Sequence, residues 1–277
     1  MSIDCIETGT FAEPTAVSEQ LQELRILSWN IARGAQMDAI REFLISEKAD
    51  VILLQESDRN SRRTAHRNVA RELAETLRMH YVFGIEFQEL GQGSHASPAY
   101  HGQATLARWP LVGPRILRFR RQSRYWHPRW WIPPLPAFQR RLGGRMALVT
   151  HIVIGQRRIV SYNLHLESRH NDAHRRCQLA ELLEDARQYD GDMIVIAGGD
   201  FNFDITGPTE TAILRDGGFE SPFSKLDVPT IVPGFLGNAR AIDWVLTRGV
   251  AALMSPQIHN SIRASDHYPL SLTLRFS

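Results

Sequence analysis

The stretch Gly198-Gly199-Asp200-Phe201-Asn202 constrains this chain more than any other. It follows Met193-Ile194-Val195-Ile196-Ala197, a short apolar run that reads as a buried strand. Two glycines break that strand and turn the backbone. Asp200 and Asn202 then stand two residues apart at the end of a rigid element. A carboxylate and an amide fixed there can orient a water molecule or hold a metal. A strand followed by Gly-Gly-Asp is also an ordinary turn, so the stretch gains meaning from its company.

That company recurs along the chain. Residues 24–29 read as a strand ending in Asn30, which either caps a turn or faces a site. Met37, Ile40, Phe43 and Leu44 recur at helical spacing and predict a helix over 36–48. Val51-Ile52-Leu53-Leu54 is a buried strand from which Glu56 emerges. A carboxylate there is costly to desolvate, and either a metal or an Arg would offset the cost. A second helix is expected over 65–78, with strands at 81–84 and 102–110 after it. Residues 146–154 and 157–166 form a hairpin about Gly155-Gln156. On its second arm Ser161, Asn163 and His165 share one face. His165 is there either a bonded core histidine or a site residue. A helix over 171–188 follows, then a short one near 208–216. Asp243 lies in an alternating strand over 242–246, and Asp266-His267 opens a terminal strand.

Residues 113–145 break the pattern. Arginines, Arg145 among them, are interleaved with Tyr125, Trp126, Trp130, Trp131 and Phe138. Pro128, Pro133, Pro134 and Pro136 bar a long helix or central strand. The segment is expected as a long excursion. It suits phosphate and base contact, a membrane interface through 125–138, or a lid packed by its own aromatics.

Charge sharpens this picture. Between Leu90 and Leu166 there are twelve Arg and no Asp or Glu. The rest of the chain holds 20 basic and 30 acidic residues, a net of −10. A basic segment is thus set into an acidic protein. At 277 residues and 43% hydrophobic content, the chain can build a full core. Cys5 and Cys177 form no disulfide framework or metal spacing. Residues 1–23 read as a loose polar arm without the pattern of a secretory signal, and 24–277 as the folded domain. A monomer in the cytoplasm is expected.

Asn30, Glu56, Asn163 with His165, Asp200 with Asn202, Asp243, and Asp266 with His267 come from six strands. If they converge, the donor set is oxygen-rich and free of cysteine, which suits Mg2+ or Mn2+. One ion on Glu56, with help from Asn30 and Asp266, is sufficient.

Trp29-Asn30, Leu54-Gln55-Glu56, Gly102-Gln-Ala-Thr-Leu, Asn163-Leu-His165-Leu, Gly199-Asp200-Phe-Asn202, Ile242-Asp243-Trp and Ser265-Asp266-His267 occur in that order. The chain resembles the endonuclease/exonuclease/phosphatase superfamily over about residues 24–275. Each motif is weak alone; seven in order are specific. The resemblance implies an α/β fold, a four-layer sandwich of two packed mixed sheets flanked by helices. It implies metal-dependent phosphoester hydrolysis, with nucleic acid or nucleotides as the leading substrate and a phospholipid or inositol phosphate as the alternative. A catalytically silent binding module is a distant third reading.

It also implies roles. Glu56 resembles the main metal ligand, Asn30 its neighbour and Asp266 a further metal-side carboxylate. Asp200 and Asn202 resemble the groups that orient or deprotonate water. Asp243 resembles the partner of His267. His165 resembles the histidine that contacts phosphate or protonates the leaving group. Asn163 and Arg145 are expected to bind substrate phosphate. Ala32 stands where abasic-site nucleases often carry an acidic or amide residue, and those enzymes lack a histidine at position 165. Both departures point away from that branch.

Overall fold

The computed structural model describes residues 4–13, 21–123, 131–133, 135–169, 171–190, 193–233, 240–250 and 252–276. The strands in chain order are Ile6–Thr10 (β1), Glu23–Arg33 (β2), Val51–Arg59 (β3), His80–Glu89 (β4), Ala99–Ala107 (β5), Leu111–Arg118 (β6) and Arg141–Gly143 (β7). Met146–Ile154 (β8), Arg157–His165 (β9), Ile194–Asp200 (β10), Asp243–Arg248 (β11), Ala252–Ile258 (β12) and Leu270–Arg275 (β13) complete them. The helices are Met37–Glu47 (α1), Val69–Leu77 (α2), Asp172–Ala186 (α3) and Pro208–Asp216 (α4).

Two sheets result. One runs β1-β4-β5-β3-β2-β13-β12, with β7 also paired to β4; the other runs β11-β10-β9-β8-β6. The pairs β2–β3 and β9–β10 are parallel and the others antiparallel, so both sheets are mixed. This is the expected α/β sandwich.

Alternation along β2 sets the layering. Leu27, Trp29 and Ile31 pack with Met37, Ile40, Phe43 and Leu44 of α1, and with Val69 and Leu73 of α2. Leu24 and Ile26 join Val51, Leu53, Val195 and Ile196 in the core that includes the second sheet. Val160, Tyr162 and Leu164 of β9 share that core with Leu179, Leu182 and Leu183 of α3. Toward the strand ends the residues between the sheets change from apolar to polar. Ser28, Asn30, Gln55, Asn163 and His165 are all buried there. The functional site occupies that end. The sheets approach closely at Gly198, where an added Cβ would lie 2.8 Å from Leu53 Cδ1.

Two expectations are corrected, and one strand is added. The arm 1–23 is not loose throughout, since Ile6–Thr10 pairs with β4 from Gly84 to His80. Its polar sequence hides a strand whose Glu7 carboxylate accepts from Tyr81 Oη and Asn68 Nδ2. The excursion expected at 113–145 is shorter at both ends, because β6 and β7 take up its flanks. Pro114 is tolerated in β6 because this is an edge strand whose register shifts between Val112 and Arg115. The strand β12 was not anticipated. It is half-exposed, carries Pro256 and is irregular between Met254 and Gln257. Residues 124–130 and 134, which include Tyr125, Trp126 and Trp130, lie outside the described residues.

Candidate active site

The break in β3 is the first piece of the site. Its register against β5 shifts between Leu54 and Ser57, and Glu56 adopts a positive φ of 55°. Asn163 closes the gap from the other sheet. Its Nδ2 donates to the carbonyls of Leu54 at 3.0 Å and Ala104 at 2.8 Å, and its Oδ1 accepts from Gln55 Nε2 at 2.8 Å. Asn163 is fully buried and its amide is committed on both sides. The expectation that it binds phosphate is therefore corrected: it braces the bulge that presents Glu56.

Glu56 has one ion pair among the described residues, a long one of 4.0 Å to Arg33 Nη2, and its side chain is 21% exposed. Burial pushes its carboxyl up, but His101, Arg33, His267 and Arg145 together outweigh burial and hold it below the usual range. Beside it on the parallel neighbour, Asn30 pairs in register with Gln55. Asn30 Oδ1 accepts from the Ala32 amide at 3.1 Å, and Nδ2 donates to Asp200 Oδ2 at 3.2 Å.

Asp200 is the centre. Gly199 lets β10 turn tightly: its φ is +152° and an added Cβ would lie 1.9 Å from the Leu164 carbonyl. Asp200 Oδ1 accepts from the Asn202 amide at 2.9 Å. Asn202 is itself held at φ 58° by its Nδ2, which donates to the Leu166 carbonyl at 3.1 Å. On the other side, Asp200 Oδ2 lies 3.4 Å from His165 Nε2 and 3.8 Å from His267 Nε2. Burial pushes the Asp200 carboxyl up to about 7, with Asp243 and Glu56 adding to it against His267 and the Asn202 amide.

His267 is held from three directions. Its Nδ1 donates to the Asp243 carboxylate, at 2.9 and 3.0 Å from the two oxygens. Its backbone carbonyl accepts from Trp29 Nε1 at 2.9 Å, and its amide donates to Ser265 Oγ at 3.2 Å. Asp243 in turn accepts from Thr230 Oγ1 at 2.6 Å, while that oxygen accepts from the Ile242 and Asp243 amides. Burial would lower the His267 imidazole, but Asp243 and Asp200 raise it to about 10. His267 is thus an imidazolium near neutral pH, with a fixed Nε2–H facing Asp200.

His165 differs. Burial, then the charge of Arg145, holds it well below the usual histidine range. A neutral ring is too weak an acid to protonate a leaving group, which leaves phosphate contact as the role of the two expected for it. It remains a single hydrogen-bond donor between Asp200 and Glu86, whose Oε2 lies 3.6 Å from His165 Nδ1. Arg145 is corrected too. It is 3% exposed, and its terminal nitrogens donate to Glu86 Oε1 and Ser168 Oγ, each at 2.7 Å. It is a buried brace. Asp266 is solvent-exposed next to His267, with Oδ1 3.2 Å from Ser265 Oγ.

Five expected residues therefore converge directly: Asn30, His165, Asp200, Asp243 and His267, with Asn202 on the same loop. Glu86 and Thr230 escaped the sequence reading. Glu86 was legible in principle, as a carboxylate inside the apolar run 81–87, by the argument applied to Glu56. Thr230 lies in irregular chain and carries no local signal.

Asp200, Asp243 and His267 bring potential ligand atoms within 4.8 Å of one another, but the protonated His267 ring cannot coordinate a cation while it holds Asp243. Glu56, a carboxylate that accepts no hydrogen bond among the described residues, is the better place for one. Beyond the Asp200–Asn202 loop opens a cavity of about 450 Å³, lined by Asp204, Lys225, Arg240 and Trp244 among others. Arg240 Nη2 reaches the Asn202 carbonyl at 3.5 Å, and Trp244 Nε1 the Phe203 carbonyl at 3.1 Å.

A model of the Endonuclease/Exonuclease/phosphatase family matches residues 27–267. No curated protein matches the chain. Among solved structures, an endonuclease/exonuclease/phosphatase from Beutenbergia cavernae DSM 12333 is 18% identical with a TM-score of 0.67, covering 92% of this chain and 72% of its own. A truncated TDP2 from Caenorhabditis elegans is 17% identical with a TM-score of 0.61, covering 91% and 97%. The human Nocturnin catalytic domain, solved with a bound sulfate anion, is 15% identical with a TM-score of 0.64, covering 98% of each chain.

Proposed function

The chain belongs to the endonuclease/exonuclease/phosphatase family, and as a phosphoesterase of that family we propose that it hydrolyses phosphodiesters of nucleic acid or nucleotides. One observation carries the reading: Asp200 stands between two imidazoles of opposite protonation, neutral His165 and cationic His267. A diester anion needs an acceptor for the proton of attacking water and donors for its own oxygens. Asp200, raised toward neutrality, takes the proton. Asn202 keeps Oδ1 to orient the water. His267 Nε2–H stabilises charge on the phosphoryl oxygens, and Asp243 with Thr230 keeps its tautomer. His165 adds a second, neutral donor.

A divalent ion, Mg2+ or Mn2+, would be held by Glu56 and Asn30, with Asp266 nearby, and would supply Lewis-acid charge at the phosphoryl group. The hard oxygen donors fit it, and Glu56 has no competing hydrogen bond among the described residues.

The test is hydrolysis of bis-p-nitrophenyl phosphate against p-nitrophenyl phosphate with Mg2+ or Mn2+, for wild type and His267→Ala. Diester cleavage lost in the variant supports the reading, and plasmid DNA, RNA and dinucleotides come next. Cleavage of the monoester alone overturns it in favour of a phosphatase.

A second reading, a phospholipid headgroup, is favoured by Trp131, Leu135 and Phe138, which are 64, 53 and 62% exposed. They lie on the segment leading into β7, beside the site end of β4. Aromatic and apolar side chains there suit a bilayer interface. Failure to sediment with anionic vesicles would remove this reading.

A further inference from the structure

A second carboxylate–imidazole pair lines the site from the opposite sheet. His101 of β5 is 1% exposed, and its Nδ1 lies 2.9 Å from Asp58 Oδ1. Asp58 is fully buried and is gripped by Arg63, whose Nε and Nη2 each donate to it at 2.7 Å. Arg63 also pairs with Glu89 at 3.2 Å, and Glu89 with Arg141 at 2.7 Å. Charges alternate along this chain of groups, and it holds the Asp58 carboxylate rigid. The imidazole stacks on Phe87, with centroids 6.5 Å apart. Nδ1 therefore carries a hydrogen, and the ring is fixed in place.

Nε2, on the other edge of the ring, has no hydrogen-bond partner among the described residues. Nε2 is not among the buried atoms left without a partner, so this edge of an otherwise buried ring is open to a ligand or solvent. Strand register sets Asp58 against His101 and Ser57 against Gly102, which puts the ring beside the bulge carrying Glu56. Of the positive groups acting on Glu56, His101 is the strongest, and it ranks just after Arg145 among those acting on His165. The ring thus lies near both Glu56 and His165. Like His267, it has Nδ1 on a buried carboxylate.

We propose that His101 is a phosphate-contacting residue whose Nε2–H donates to a non-bridging oxygen of the substrate phosphoryl group. With Asp58 on one edge and an anion on the other, the ring would lie between two negative partners. This rests on the phosphoester reading above and adds a third imidazole to that site.

The test is binding of inorganic phosphate by calorimetry, with and without Mg2+, to wild type, His101→Ala and His101→Gln. Melting temperatures are followed in parallel to confirm that each variant is folded. A charge-assisted hydrogen bond predicts phosphate binding weakened about 10- to 100-fold in H101A. The Gln amide nitrogen reaches near the position of Nε2 and should restore part of that loss. Hydrolysis of bis-p-nitrophenyl phosphate should follow the same order. Unchanged phosphate binding in H101A, equal loss in both variants, or no phosphate binding by wild type overturns the assignment. If wild type cleaves no phosphoester yet the Ala–Gln difference in phosphate binding holds, the contact stands and the functional reading falls.

Discussion

The Asn163 amide nitrogen donates across the sheet interface to the Leu54 carbonyl at 3.0 Å, two residues before Glu56. A side chain of one sheet thereby takes a bond that the broken ladder of the other sheet leaves open. Asn163→Ala would take a donor from the Leu54 and Ala104 carbonyls and one acceptor from Gln55 Nε2, which keeps the Leu53 carbonyl. We expect a loss of about 3 kcal/mol in unfolding free energy, read from urea denaturation. Asn163→Asp should lose at least as much, because it sets an acceptor against two acceptors.

Asp243→Asn should return the His267 imidazole from about 10 toward its ordinary range. The active form is the imidazolium, and a group with a raised pKa loses its proton first at high pH. The drop in kcat should therefore be larger at pH 8.5 than at pH 6, and about 10²- to 10⁴-fold where it is fullest. Thr230→Val keeps the carboxylate and should cost less, on the order of tenfold. A uniform loss at all pH values would contradict the assigned role of Asp243.

Asp58 offers a stability test that does not involve catalysis. Burial raises its carboxyl, but hydrogen bonds from Arg63 and His101 outweigh that and bring it down to about 2 from 3.8. The depressed value means that its contribution is complete above about pH 4 and fades as pH falls through about 2. It amounts to about 2 kcal/mol. The gap in melting temperature between wild type and Asp58→Asn should accordingly be widest near neutrality and narrow in acid.

Glu56→Gln keeps the shape of the strand end but removes the charge that would hold a divalent ion. Mn2+ binding, followed by the loss of its free-ion paramagnetic resonance signal, should weaken by on the order of 10- to 100-fold or more. Chelation with EDTA should abolish hydrolysis by wild type, and Mg2+ or Mn2+ should restore it. Full activity after chelation would exclude the ion from the reaction.

Strands with an apolar run or an apolar face were readable from sequence: β2, β3, the β8–β9 hairpin and β10 are buried against helices and the facing sheet. The strands β1, β6 and β12 were not, because edge strands need no continuous apolar face and tolerate Pro114 and Pro256 at irregular points. In the site, residues at strand ends were legible: Asn30, Glu56, Asp200, Asp243 and His267. What eluded the sequence depends on contact between strands distant in the chain. His101 adjoins the Gly102-Gln motif, yet only its pairing with Asp58, 43 residues away, gives it meaning. Asn163 and Arg145 were misassigned for the same reason, since their polar groups are satisfied by partners that no local pattern announces.

The short strand β1 has a consequence for handling the molecule. It and β7 cover one flank of β4, along His80–Gly84 and Phe87–Glu89 respectively. Beneath β1 runs an apolar stretch that includes Val82 and Phe83. Removing residues 1–10, which a trimming guided only by the catalytic motifs would favour, leaves that flank open as a template for another chain. Such a truncated protein should keep its catalytic groups and yet self-associate, and light scattering would reveal oligomers growing with concentration. The polar start of the chain acts as a guard against aggregation.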